Sequence, residues 1–298
     1  MPSLKSRLVA LVLRHTRKKA FATPEGLHAW IAKARPAQDH KPPVKVMRLV
    51  DVRQRMVAGH TVYEVRPQGW EERRTPARRI LYLHGGAFVF ELTPFHWRLV
   101  AELCERLCAH ITLPVYPLAP EHGFEAIYGF AGEVWREVVA EGDVDVVGDS
   151  AGGNMALVLS LMAALQGWPR ARRLVLISPG VDMTLANPAT REAAALDPWL
   201  DIPGGLEAVR LYAGDMDMAD WRISPTHGDL DALPPMLIFT GTRDLLHADT
   251  AVFADKAKAA GIDVDLVVGD RMIHVWPLID MPEARRARDM MVEWLAGR

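Results

Sequence analysis

The chain has 298 residues, of which 50% are hydrophobic and 24% charged, with a formal net charge of −2 and two cysteines. This is the composition of a globular protein long enough to bury a sizeable core, either as two domains or as one larger α/β unit. It excludes a disulfide framework and lacks the charge excess that recruits nucleic acid. The two cysteines, Cys104 and Cys108, fit a reducing compartment, and a cytoplasmic location is expected.

The first segment, MPSLKSRLVALVLRHTRKKAF, carries six basic residues and no acid before Glu25. Its apolar run LVALVL is too short to span a membrane, and no small-residue cleavage site follows it. Two readings remain: a helix lying on an anionic membrane surface, or an amphipathic helix packed on the protein with its basic face solvated. The second is preferred. Residues 34–46 are rich in proline and polar side chains and read as a connector. Apolar runs on either side of Gly59 then predict an antiparallel hairpin.

From residue 78 strands and helices alternate. Strands are predicted at 78–85, 111–120 (broken by prolines), 144–149, 172–180, 234–244 and 263–270. Helices are predicted at 94–110, 123–142, 151–167, 248–261 and 282–297. This rhythm predicts an α/β fold, a mostly parallel sheet with helices on both faces. The continuous apolar runs LVLIS and MLIF agree, because a central parallel strand is buried on both sides. Residues 181–228 break the rhythm and read as an insertion that covers something.

The stretch VDVVGDSAGGN places Ser150 at an abrupt corner between an apolar strand and an apolar helix. Gly148 and Gly152 supply the small neighbours that a strained turn needs, giving the G-x-S-x-G pattern of a nucleophile elbow. The pattern alone also fits a tight turn with a helix-capping serine, so partners must be found. A serine hydroxyl needs a base to take its proton and donors to hold an oxyanion. The loop His84-Gly85-Gly86-Ala87 follows an apolar strand and leaves its backbone N–H groups bare. Gly85, Gly86 and Ala87, with the N–H of Ala151, are the candidate oxyanion donors.

Of eleven histidines, His274 alone follows a late strand and precedes a loop. His15, His28, His40 and His60 lie before the sheet's catalytic edge, His84 belongs to the glycine loop, and His96 and His110 read as helical. His122 and His227 lie on other loops, and His247 stands too near Asp244 to reach it from a separate loop. Asp244 follows the preceding strand and is the candidate orienting acid, ahead of Asp249 and Asp270. The order Ser150, Asp244, His274 is the Ser…acid…His order of α/β-hydrolases.

With those residues in place, the motifs HGGAF, YPLAPEHGF, GDSAGG, TGTRDLL and IHVWP resemble the hormone-sensitive-lipase-like branch of the α/β-hydrolases, which includes bacterial carboxylesterases. The resemblance runs from about residue 78 to 298. It implies an eight-stranded sheet and a helical cap built from residues 1–42 and the insertion at 181–228, on a catalytic domain spanning 43–298. It also implies the roles of nucleophile for Ser150, base for His274 and acid for Asp244. Glu121 would match the family's glutamate near the glycine loop, and Asp149 the aspartate before the nucleophile, with a structural role. Ala87 stands where the family often has a third glycine, Pro117 where it has arginine and Gly123 where it has proline.

The expected function is hydrolysis of short- to medium-chain acyl esters of small-molecule substrates through an acyl-enzyme, without cofactor or metal. Amide or N-acyl hydrolysis by the same triad, and a non-catalytic receptor on the same fold, are the alternatives. His96, Cys104, Cys108 and His110 could be combined into a metal site, but a buried apolar cysteine pair at i, i+4 explains the cysteines. Trp97, Trp199, Tyr212, Trp221 and Trp276 either line an apolar cavity or pack in the core. Monomer and homodimer both remain open, since the last strand could pair across a dimer or be covered.

Overall fold

Central strands that are apolar on both faces must be covered on both sides, and the computed structural model, which describes residues 2–70 and 78–297, shows this arrangement. The N-terminal segment forms α1 (Leu4–Thr16), α2 (Lys18–Phe21), α3 (Pro24–Ala34) and the short α4 (Val44–Met47). The hairpin expected around Gly59 is β1 (Val50–Val57) and β2 (His60–Pro67), paired antiparallel. Next come β3 (Arg78–Leu83), α5 (Pro94–Leu107), β4 (Ala109–Pro114), α6 (Phe124–Ala140), β5 (Val144–Asp149) and α7 (Ala151–Gln166). The chain then makes β6 (Arg173–Ile177), the insertion helices α8 (Pro188–Leu196) and α9 (Ile202–Ala213), β7 (Met236–Arg243), α10 (His247–Ala259), β8 (Val264–Ile273) and α11 (Pro282–Ala296).

The eight strands form one sheet in the order β1-β2-β4-β3-β5-β6-β7-β8. β2 meets β4 antiparallel, and every pairing from β4 to β8 is parallel. Neighbouring residues of one strand feed opposite cores: Val146 of β5 joins Trp135, Met155 and Phe253 on one face, and Val147 joins Trp97, Phe239 and Met291 on the other. The α/β class and the mostly parallel sheet read from the sequence are borne out.

Three local expectations need correction. His110 lies in β4, not in a helix, because Cys108 adopts a left-handed conformation (φ 51°) that ends α5. β8 runs three residues beyond its expected end at Asp270, and the extension delivers His274 to the site. α1 does not turn a purely basic face outward: Ser6 and Ala10 face the body, while Leu4 (81% exposed), Leu8 (60%) and Leu11 (54%) face out. Ser6 lies over Met272 near the end of β8, so α1 shelters part of that edge strand.

A charge is buried in the sheet on β5, before the serine corner. The Asp145 carboxylate, fully buried on β5, accepts from Arg172 Nε (2.9 Å) and Nη2 (2.6 Å) and from Arg78 Nη1 (3.2 Å). Removing only the anion leaves two half-buried guanidiniums facing each other. Asp145→Ala is therefore expected to lower the unfolding free energy by about 3 kcal/mol, read from urea denaturation at neutral pH.

Candidate active site

The corner after β5 is as sharp as its sequence suggests. Ser150 has φ 52° and ψ −115°, outside the regions open to most side chains, and α7 begins at the next residue. Its N–H donates to Ile177 O (2.8 Å), and its carbonyl accepts from Asn154 N (3.0 Å) and Gly180 N (3.2 Å). Glycine is required on both sides for lack of space. A Cβ on Gly148 would overlap the backbone of Gly152, and one on Gly152 would overlap the carbonyl of Leu83.

The acid and the imidazole arrive from adjacent strands. β7 and β8 shift register between Gly241 and Arg243, after which Arg243 pairs with Ile273. The next residue on each strand is Asp244 or His274, so the irregularity sets the two side chains next to each other. His274 Nδ1 lies 3.0 Å from Asp244 Oδ1, and His274 Nε2 lies 2.9 Å from Ser150 Oγ. With a carboxylate at Nδ1, that nitrogen carries the proton and Nε2 is left to accept from the serine hydroxyl. Val275 N–H donates to Ser178 Oγ (3.0 Å) and Trp276 Nε1–H to Thr240 O (3.2 Å), fixing the loop that carries the imidazole.

Burial alone would push the His274 imidazole down, but the charge and hydrogen bond of Asp244, with the charges of Asp197 and Asp149, outweigh it and hold it above its ordinary value. Asp249 and Asp270 lie elsewhere. Asp249 accepts from Asn187 and Thr190 of the insertion, and Asp270 is exposed. His247 contacts Thr240 Oγ1 (3.3 Å).

The glycine loop lies against Asp149. A Cβ on Gly85 would overlap the Asp149 carboxylate, and one on Gly86 (φ 134°) would overlap Phe90 O. Asp149 is held by Tyr82 Oη–H (2.8 Å) and His96 Nε2 (3.2 Å). Burial raises its carboxyl, but His96 and Tyr82 more than compensate and it stays below its usual range. His84 stacks on Tyr116 at 4.2 Å and bonds Gly85 O through Nδ1 (2.8 Å). Burial, with His96 nearby, depresses its imidazole to about 3, so it stays neutral and braces the loop. Among the described residues the amides of Gly86 and Ala87 have no hydrogen-bond acceptor, and Ala151, as first residue of α7, has none within its helix. Ala87 and Ala151 share a cavity wall with Ser150.

That cavity has a volume of about 60 Å³ and an apolar lining that includes Phe21, Met183, Leu185, Val209, Tyr212 and Leu246. Phe21 comes from the N-terminal segment and Leu185 and Val209 from the insertion, and α2 and α3 both pack against α9. Of the aromatic candidates, Tyr212 lines the cavity and Trp199 sits edge-on to His274 (5.8 Å, 84°). Trp97 and Trp276 lie in the core on the other face of the sheet, and Trp221 packs against the first core. The segment before Glu121 touches the glycine loop, where Ala119 N–H donates to Phe88 O (2.9 Å). The Glu121 side chain is exposed and turns to Arg35, which also donates to Ala119 O (3.0 Å). Cys104 is buried, with Sγ 3.2 Å from Ala109 O, while Cys108 is half-buried at the end of α5, so the expected buried pair is only half realised. Among the described residues no three His, Cys, Asp or Glu side chains are placed to hold a metal ion.

Two contributors were not singled out from the sequence. His96, which looked like an ordinary helical histidine, caps its own helix through Thr93 and reaches Asp149. Asp197 of the insertion accepts from Trp199 N (2.6 Å), Leu200 N (3.0 Å) and Leu245 N (2.8 Å), the last being the neighbour of Asp244. The sequence DPWL carries a capping-type Asp-Pro signal, but nothing local points to residue 245.

Comparison with known proteins fits this geometry. A family model described as the α/β hydrolase fold matches residues 80–278, and the chain belongs to that family. An esterase from Acinetobacter venetianus is 30% identical over 80% of this chain and 79% of its own length. An acetyl-hydrolase from Streptomyces hygroscopicus is 30% identical over 78% of each chain. Among solved structures, an esterase of the bacterial hormone-sensitive lipase family superimposes with a TM-score of 0.83 at 25% identity, covering 100% of this chain and 99% of the other. The branch read from the motifs is borne out by this match.

Burial and the nearby charge of Asp244 raise the Asp197 carboxyl from 3.8 to about 6. Between 3.8 and about 6 the folded chain therefore holds a proton there that the unfolded chain has released. Its stabilising effect is complete below 3.8 and lost as pH rises through about 6. Asp197→Asn is expected to flatten the dependence of stability on pH across that window. Asp197→Ala, which strands three amide donors, should cost about 3 kcal/mol at neutral pH. Urea unfolding at a series of pH values checks both.

Proposed function

We propose that this protein is a serine carboxylesterase that hydrolyses esters of short acyl chains. The observation that carries the proposal is the relay from Asp244 through His274 to Ser150, at 3.0 Å and 2.9 Å, opening on an apolar cavity. His274 Nε2 takes the Ser150 proton as Oγ attacks the ester carbonyl carbon. Asp244 keeps the imidazole in the required tautomer and stabilises its cationic form. The carbonyl oxygen, now an anion, accepts from the amides of Gly86, Ala87 and Ala151, and each such donor contributes about 3 kcal/mol in the transition state. His274 returns the proton to the leaving alcohol, and the acyl group stays on Ser150. Water then enters, gives its proton to His274 and attacks the acyl carbon, and Ser150 leaves with that proton. No cofactor or metal takes part in these steps.

The cavity supports the short-chain reading. By its volume of about 60 Å³ it accommodates roughly four or five water-sized groups, so acyl tails beyond about four carbons must displace Leu185, Met183 or Phe21. The acetyl-hydrolase among the relatives agrees with a small acyl group. The N-terminal helices and the insertion act as the cap, since both supply walls of this cavity over Ser150.

Two measurements test the proposal. In a panel of p-nitrophenyl esters, kcat/KM should peak at short acyl chains and fall for longer ones, and Ser150→Ala should abolish turnover with the fold retained; undiminished hydrolysis by Ser150→Ala refutes the assignment. The pH profile of kcat/KM should rise with pH as His274 loses its proton, with a midpoint above the ~6.5 of an unperturbed imidazole. Asp244→Asn should move that midpoint down and lower kcat by about four orders of magnitude.

A further inference from the structure

We propose that the outward face of α1, with the arginines beside its C-terminal end, docks on an anionic lipid bilayer. On a helix, residues 4, 8, 11 and 15 fall on one stripe. Here Leu4, Leu8 and Leu11, with Val12 at its side (52% exposed), point away from the protein. The other side of the helix packs on the body through Val9, Ala10 and Leu13, with Ser6 over Met272, and its N-terminal end is tied down by Ser3 to Glu283 and Lys5 to Asp280. The helix is thus fixed in place by one apolar side, with a second apolar stripe left in water. A contiguous exposed apolar stripe of this kind marks an interaction surface.

The charges beside the stripe identify the cover. Arg7 and Arg14 flank it on one side and are exposed. Arg14 also lines an open groove with Leu196, Thr242, Arg243, Asp270 and Arg271. Leu196 is itself 53% exposed. In that groove three guanidiniums face one carboxylate. An in-plane helix with an apolar stripe and flanking cations is the pattern that binds the headgroup region of anionic membranes. The groove suits a lipid phosphate. A second copy of this chain fits less well, because two-fold pairing lays a patch on itself and would bring Arg7 and Arg14 against the same cluster. α2 follows α1 directly and ends at Phe21, a wall residue of the cavity over Ser150, so docking would bring a lipid surface close to the cap.

The full chain is sedimented with phosphatidylcholine vesicles, with and without about one-third phosphatidylglycerol, at low and high salt. Binding is expected to the anionic vesicles only, and to weaken with salt. Leu8→Asp/Leu11→Asp should lose it. Arg7→Glu/Arg14→Glu should reduce partitioning by more than tenfold, since each cation near an anionic surface contributes about fivefold. Both variants lie outside the proposed catalytic machinery, so hydrolysis of a soluble short-chain ester stays at the wild-type rate and reports that the fold is intact. Absence of vesicle binding overturns the proposal, as does binding that both variants retain. A doubled mass in solution that Leu8→Asp/Leu11→Asp returns to monomer assigns the stripe to a second copy and overturns it too. The readout is binding, so it stands apart from the fate of the esterase proposal.

Discussion

The site is built around one close approach, between the first turn of α7 and the ends of β3 and β5. Gly152 lies against the carbonyl of Leu83, and Gly148 lies against Gly152, with no room for a methyl group at either position. This contact forces Ser150 to φ 52° and lifts its side chain above the sheet edge. It also sets Ala151 at the start of a helix whose first amides have no internal acceptor, so the hydroxyl and a bare N–H come from the same turn. The strain is offset by three backbone hydrogen bonds at Ser150 and by the helix itself, which is buried on nearly every side.

A second set of ties crosses from the core of the site to the insertion and the N-terminal segment. Asn154, one turn into α7, accepts from Tyr128 and donates to Gly180 O and Ile223 O, which stand near the two ends of the insertion. Lys18 of α2 reaches Ala194 O, Leu200 O and Asp201 of the insertion. Asp197 closes the circuit to the amide beside Asp244. Cavity shape and relay geometry therefore share supports, and a change in the insertion is felt at the acid as well as at the acyl wall. Asp197 and Asp244 are both buried near one imidazole, and burial together with the charge of Asp244 pushes the Asp197 carboxyl up to about 6.

Much of the fold was legible. The alternation of apolar runs with amphipathic segments from residue 78 onward gave the parallel sheet, and the two runs around Gly59 gave the hairpin, because burial on two faces or on one leaves a different period in the chain. Ser150, Asp244 and His274 stood out because each ends a strand on the same side of such a sheet. The partner of Glu121 was not legible: Arg35, far away in sequence, pairs with its carboxylate at the surface. The end of α5 was placed too late because the left-handed turn at Cys108 lacks the glycine that usually marks one.

The sequence by itself determined the order of elements, the tight corner at Ser150 and the residue types available at strand ends, since these follow from steric and hydrophobic patterns among chain neighbours. Tertiary structure decided the register shift that sets Asp244 beside His274, the volume of the cavity, the reach of His96 and Asp197, and which side of α1 faces water. Each of these depends on contacts between segments tens to hundreds of residues apart. Such contacts are fixed only when the whole core has packed, and no local period in the chain records them.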